Sequence, residues 1–246
     1  VYYVDIIDKD EIDKFIANVH SNILKMKYCN IPVVAAPYGM TLGGGCEICL
    51  ASDRILAHAE TYMGLVEIGA GLLPGGLGML NLWRKVLANV PPAAKVTDLG
   101  GFFLPCFMAV AQAQVGMGAF DLRKDRIIFN RDLQIGEAKK EVLKMVEEGY
   151  AAPAKENILV MGQEVQGMVW AEMLNMKSGG YITPHMEFIA KKIAWVMSGG
   201  DVLQGTKITE EQWCKQERGA FVELWKTENS QKMAEHMLTK GKPLMI

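Results

Sequence analysis

No stretch of this sequence approaches 18 uninterrupted apolar residues, and no basic segment followed by an apolar run opens it. Neither a membrane-spanning helix nor a secretory leader is expected, and the reading is cytoplasmic. Charge of one sign is also missing. Against 26 basic residues stand 28 acidic ones, a net charge of −2, so there is no electrostatic footprint for nucleic acid. Histidine is sparse: His20, His58, His185 and His236 show no ligand spacing, and no metal is expected. The five cysteines, Cys29, Cys46, Cys49, Cys106 and Cys214, are an odd, scattered set. Cys46-x-x-Cys49 has a redox spacing, but it falls in an apolar helical stretch with no second pair to complete a zinc site, so buried thiols are expected. Tandem repeats and low-complexity tracts are absent too.

Apolar residues and glycine are plentiful. A 50% hydrophobic content over 246 residues suits one large domain or two small ones with a sizeable core. Sixteen methionines fit adaptable apolar surfaces. Glycine concentrates in residues 32–78, PVVAAPYGMTLGGGCEICLASDRILAHAETYMGLVEIGAGLLPGGLG. Residues 32–36 read as a strand buried on both faces. Gly43, Gly44 and Gly45 let the backbone turn sharply and let another molecule approach closely. A helix over 46–51 would then leave its first amides unpaired at the positive end of its dipole, the geometry of an anion site or an oxyanion hole. Glu47 falls in the first turn of that helix. Glu67 follows an extended 53–57 segment and lies in a loop with Gly69, Gly71, Pro74, Gly75, Gly76 and Gly78. Two carboxylates in one apolar site have their pKa values pushed apart, so that one serves as base and the other as acid. Spacing alone leaves open the alternative that Glu47 caps a helix start and Glu67 is a solvated loop residue.

PVVAAPYGMTLGGGCE followed by ASDRILAHAETYMGLVEIGAGLLPGGLG resembles the crotonase (enoyl-CoA hydratase/isomerase) superfamily, whose members carry a similar GGGCE turn and a second glutamate before a glycine-rich loop. The resemblance implies reversible syn addition of water to a 2-trans-enoyl-CoA. Glu47 would position and deprotonate the water, and Glu67 would protonate the α-carbon. The Gly44 amide would be one of two oxyanion donors, with Gly43, Gly45 and Gly75 as substrate-binding positions. Residues 125–132 (DRIIFNRD), 178–202 (SGGYITPHMEFIAKKIAWVMSGGDV) and 230–246 (SQKMAEHMLTKGKPLMI) resemble the hydratase region that closes a fused bacterial 3-hydroxyacyl-CoA dehydrogenase/enoyl-CoA hydratase. That likeness implies an upstream NAD-binding dehydrogenase part, further strands and the other oxyanion donor, none of which lies in these residues. The chain opens with Val1, in keeping with a longer polypeptide. On this reading the chain itself uses no cofactor, takes an acyl-CoA substrate, and forms a homo-oligomer or joins a β-oxidation assembly. The competing readings are a Δ3,Δ2-enoyl-CoA isomerase working with one glutamate and a non-catalytic scaffold piece of such an assembly.

The expected fold is α/β, a crotonase-type core of stacked ββα units over residues 1–122, lacking its N-terminal part, followed by a mostly helical region over 123–246. Ile12, Phe15, Ile16, Val19, Ile23 and Met26 mark an amphipathic helix over 11–27 that packs on the core. A helix is expected over 79–87, ending near Pro91 and Pro92. Gly69-x-Gly71-x-x-Pro74 echoes a dinucleotide fingerprint, but a proline stands where the third glycine belongs, so that reading is rejected. Residues 93–104, with Gly100-Gly101, read as a mobile insertion, and residues 105–114 as a helix. A strand at 126–129 leads to a helix capped by Asn130 or Asp132 that ends at Gly149, and 151–162 reads as a linker. Helices over 165–176, 184–197 and 210–224 follow, the third opened by a Thr209-x-x-Gln212 capping box. Trp170, Trp195, Trp213, Phe221 and Trp225 are read as core or subunit-interface anchors. The last helix stops at Lys240-Gly241, and Lys240 and Lys242 are read as a solvated tail.

Overall fold

A computed structural model describes residues 9–91, 93–122 and 124–246. Helix α1 (Lys9–Lys27) has Asp10 and Glu11 in its first turn and Lys25 and Lys27 in its last, which complements the helix dipole at both ends. Its buried line runs Ile12, Ile16, His20, Ile23. Phe15, assigned to that stripe from spacing, is 61% exposed. A histidine takes a core-facing place that the hydrophobic pattern passes over.

Strand β1 (Val34–Ala35) is followed by β2 (Gly39–Leu42), α2 (Gly44–Ala51), β3 (Arg54–His58) and β4 (Thr61–Gly64). Two small parallel sheets result. The first has the order β1-β3-β5, with β5 spanning Arg126–Ile128. Its central strand β3 is the deeply buried one, through Ile55, Leu56 and Ala57. β1 lies at the edge and is half-buried, which corrects the expectation of a strand covered on both faces. The second sheet pairs β2 with β4, from Gly39 opposite Thr61 to Leu42 opposite Gly64. The GMTL of β2 has no strand-like alternation, and no strand is expected there from the sequence; its pairing with β4 makes it one. This register sets the Gly43 turn beside the chain leaving β4, and the Gly43 amide donates to the Gly64 carbonyl at 2.9 Å.

Helix α3 (Gly78–Leu87) ends before Pro91; Pro92 lies outside the described residues. The insertion expected over 93–104 is not one. A 3-10 turn (Val96–Leu99) runs straight into α4 (Gly100–Ala111), which packs against α3 and two later helices. Phe103 and Phe107 of α4 are wholly buried, and the Phe103 ring meets Trp83 edge-on with centroids 5.5 Å apart. Burial of two aromatic rings outweighs the local preference of Gly100, Gly101 and Pro105 against helix.

Helix α5 (Arg131–Glu147) is capped by Asn130, whose side chain accepts from the Asp132 amide at 3.0 Å. Within the expected linker lies β6 (Ile158–Leu159), antiparallel to β7 (Lys207–Ile208). Helices α6 (Gly162–Ser178), α7 (Pro184–Met197), α8 (Glu210–Trp225) and α9 (Glu228–Lys240) complete the chain. Thr209 and Gln212 form the expected capping box, and Gly241 closes α9 in a left-handed turn. Trp213 is wholly buried; Trp195, Phe221 and Trp225 are half-buried and Trp170 is exposed.

The largest hydrophobic core runs from Ile23 through Trp83, Phe107 and Ile193 to Met233, so both halves of the chain contribute to it. Two C-terminal helices press directly on the glutamate-bearing segments. α8 packs against α1, and α9 packs against the 3-10 turn Glu67–Ala70. A methyl group on Gly71 would stand 2.8 Å from the Ser230 Cα of α9.

Candidate active site

The chain enters α2 through Gly43, at φ 56° and ψ −125°, a conformation that favours glycine. A methyl group there would also stand 3.1 Å from Glu67 Oε1. Gly44 and Gly45 are exposed, and nothing lies within 4 Å of where a Gly44 side chain would be. The first amides of α2 have no carbonyl one turn earlier in the helix to accept from them, and the positive end of its dipole lies here.

Glu47, in the first turn of α2, is 5% exposed. Its Oε1 accepts two backbone hydrogen bonds, from Gly76 at 2.8 Å and Gly78 at 3.0 Å. Neither glycine tolerates a side chain: a methyl at Gly76 would be 2.5 Å from Glu47 Oε2, and one at Gly78 would be 2.7 Å from Glu47 Cγ. Residues 76 and 78 therefore cradle the carboxylate. Gly75, singled out as substrate-binding, is buried on the other side of the loop, where a methyl would meet Phe221 at 2.9 Å and Ile16 at 3.2 Å. Here the missing side chain lets α1 and α8 close on the loop.

Glu67 opens the 3-10 turn Glu67–Ala70. Its Oε2 is buried with no hydrogen-bond partner among the described residues, so Glu67 is not a solvated loop residue. Burial, and then the charges of Glu67 and Glu217, push Glu47 up to about 8; burial likewise pushes Glu67 up to about 7. The amides of Gly76 and Gly78 pull Glu47 the other way, since they favour its ionised form. The two carboxyls are close enough to titrate as a pair.

A third carboxylate belongs to this neighbourhood, and it was not singled out from the sequence. Glu217 of α8 is wholly buried. Its Oε1 accepts from the Leu77 amide at 2.9 Å and lies 3.1 Å from His20 Nε2; its Oε2 accepts from Trp213 Nε1 at 3.1 Å. Burial opposes a charge on His20, but the neighbouring Cys214 sulfur and the Glu217 carboxylate outweigh it and hold the ring up to about 10. The only local signal for this pair was that His20 and Glu217 each occupy a core-facing position of an amphipathic helix.

Beside α2 opens a cavity of about 350 Å³, lined mainly by apolar side chains including Cys46, Leu50, Leu65, Leu82, Val110 and Leu122. Cys46 of its wall precedes Glu47 in the chain, and Gly64 accepts from the Gly43 amide; neither glutamate itself lines it. Among the described residues no three histidine, cysteine or acidic side chains gather as a metal site would require. Cys46, Cys49 and Cys106 are buried as expected, whereas Cys29 and Cys214 are only half-buried. Lys240 and Lys242 are exposed at the end of α9.

Residues 7–96 match the enoyl-CoA hydratase/isomerase family. A "Probable 3-hydroxyacyl-CoA dehydrogenase" of Bacillus subtilis is 39% identical over 241 residues, covering 95% of this chain and 30% of the relative's length. The human "Peroxisomal bifunctional enzyme" is 46% identical over 69 residues, 28% of this chain and 9% of that protein. The chain thus spans less than a third of the relatives it matches here. An enoyl-CoA hydratase structure from Mycobacterium avium subsp. paratuberculosis aligns with a TM-score of 0.55 at 16% identity, covering 96% of this chain and 73% of that one. The chain therefore carries a crotonase-type fold and, over residues 7–96, the sequence pattern of the enoyl-CoA hydratase/isomerase family.

Proposed function

We propose that this chain catalyses the reversible hydration of 2-trans-enoyl-CoA to 3-hydroxyacyl-CoA. The observation that carries the proposal is the pairing of Glu47 and Glu67, two buried carboxyls of raised pKa, beside the open amides that begin α2. Near neutral pH such a pair holds a single proton between its two carboxyls; the form that addition of water demands has it on Glu67 with Glu47 ionised, the minor one, since the higher value belongs to Glu47. Glu47, fixed by two amides, takes a proton from water as the oxygen bonds to the β-carbon. Glu67, whose free Oε2 has no competing partner, delivers a proton to the α-carbon. The Gly44 amide holds the thioester oxygen as negative charge builds on it; one such donor is commonly worth ~3 to 4 kcal/mol. Gly43 and Gly45 keep the approach to that amide free of side chains, and the cavity beside Cys46 takes the acyl chain. The 30% share of the Bacillus subtilis relative supports a place for this chain within a bifunctional dehydrogenase/hydratase of β-oxidation, in which NAD would serve only the other part. An isomerase needs one shuttling carboxylate, and the cradle built around Glu47 favours the hydratase.

The test is incubation with crotonyl-CoA. Loss of the conjugated enoyl absorbance, with 3-hydroxybutyryl-CoA as product, is expected. Shift of a 3-enoyl double bond without any hydration would establish the isomerase, and failure to bind acyl-CoA would favour a scaffold.

A further inference from the structure

The loop that cradles Glu47 is strained at a residue which takes no part in the proton chemistry. Leu77 adopts φ 61° and ψ 22°, a left-handed conformation uncommon for a side chain of its bulk, and that side chain is wholly buried. On either side of it, Gly76 and Gly78 turn their amides onto Glu47 Oε1. An extended or right-handed Leu77 would point at least one of those amides elsewhere.

Glu217 holds the turn in place. Its two oxygens take the Leu77 amide, the Trp213 indole N–H and His20 Nε2. A backbone amide and an indole can only donate, so the pocket fits an ionised carboxylate; a carboxamide in its place would set an NH₂ against a donor. The charge is buried, and His20, 3% exposed and 3.1 Å away, stands as its counter-ion. Among the described residues, the ionisable side chains whose charges bear on Glu47 are Glu67 from the 3-10 turn and Glu217 from α8.

We infer that Glu217 and His20 are positioning residues for Glu47: their buried ion pair pins the left-handed turn at Leu77, and that turn aims the Gly76 and Gly78 amides at the carboxylate. Only the kinetic consequence of this inference rests on the hydratase reading. The geometric consequence does not.

The experiment is amide proton–nitrogen NMR of the chain across a pH titration. In the wild type, the Gly76 and Gly78 amide protons are expected to move as Glu47 ionises, and Glu47→Gln to abolish the movement. In Glu217→Gln both glycines are expected to lose that shift. The kcat for crotonyl-CoA hydration should fall about a hundredfold, as for a misplaced catalytic group, with KM changed less than about threefold. His20→Gln keeps a donor toward Glu217 but removes the charge; it is expected to show the same spectral change at smaller amplitude, and it serves if Glu217→Gln does not fold. Gly76 and Gly78 amides that still follow Glu47 in a folded variant overturn the inference, even where stability has dropped. A wild type that does not hydrate crotonyl-CoA overturns the hydratase reading, and the amide shifts then decide this inference by themselves.

Discussion

Glu67→Gln is expected to cut crotonyl-CoA hydration by about a hundred- to ten-thousand-fold, the range for losing a positioned proton donor, while acyl-CoA binding survives. Glutamine keeps the size of the side chain and can sit against Gly43, so the turn into α2 is preserved. Glu47→Gln should lose a similar factor, because its amide oxygen can accept from Gly76 and Gly78 as Glu47 Oε1 does, yet it takes no proton from water. Both variants should also gain stability at alkaline pH. Burial raises each carboxyl above its ordinary value of 4.5 in the folded chain. The folded state therefore binds the proton more tightly than the unfolded one, and stability present below pH 4.5 is lost as pH rises through about 7 for Glu67 and about 8 for Glu47. Glutamine does not titrate, so thermal unfolding should show variants and wild type converging near pH 5 and the variants unfolding at higher temperature at pH 8.5. Equal loss of stability at both values would mean that these carboxyls are structural.

His20→Leu is expected to cost about 3 to 5 kcal/mol at pH 7, because it removes the counter-ion of a wholly buried carboxylate. Salt and solvent would mute an exposed pair, whereas this one is buried. Here the folded-state value of His20 is raised from 6.5 to about 10, so its stabilisation is full below pH 6.5 and disappears as pH climbs through 10. Urea unfolding of wild type and variant should show a gap that is widest below about pH 6 and narrows steadily from there toward pH 10. A gap below 1 kcal/mol at pH 7 would show that the ring is held neutral and contributes only packing.

The parts of this fold that were legible in the sequence are those encoded locally. Pro184 at the head of α7, the Thr209 and Gln212 box before α8, Asn130 before α5 and Gly241 after α9 each act within one helical turn, and the helices start or stop there. What was not legible depends on distant partners. β2 exists because Gly39 to Leu42 find Thr61 to Gly64, and β6 because Ile158 finds Ile208. Residues 100–105 carry helix-breaking signals that the burial of Phe103 and Phe107 overrides. The candidate site divides the same way. Glu47 and Glu67 stood out through glycine spacing and family resemblance, and the β2–β4 register brings their segments side by side. The distinct tasks of Gly75, Gly76 and Gly78 could not be separated by spacing, since each depends on which side chain packs above it. His20 and Glu217 lie 197 positions apart, and only the packing of α1 on α8 makes them a pair.

The central claim is that Glu47 and Glu67 together handle the two protons of hydration. Its most direct test is the pH dependence of kcat/KM for crotonyl-CoA hydration by the wild-type chain. The pair, raised to about 7 and about 8, predicts a bell with a narrow maximum between those values, because one carboxyl must be protonated and the other ionised. A rate that stays flat from pH 5 to about 9, or one that survives in the Glu47→Gln, Glu67→Gln double variant, would contradict it.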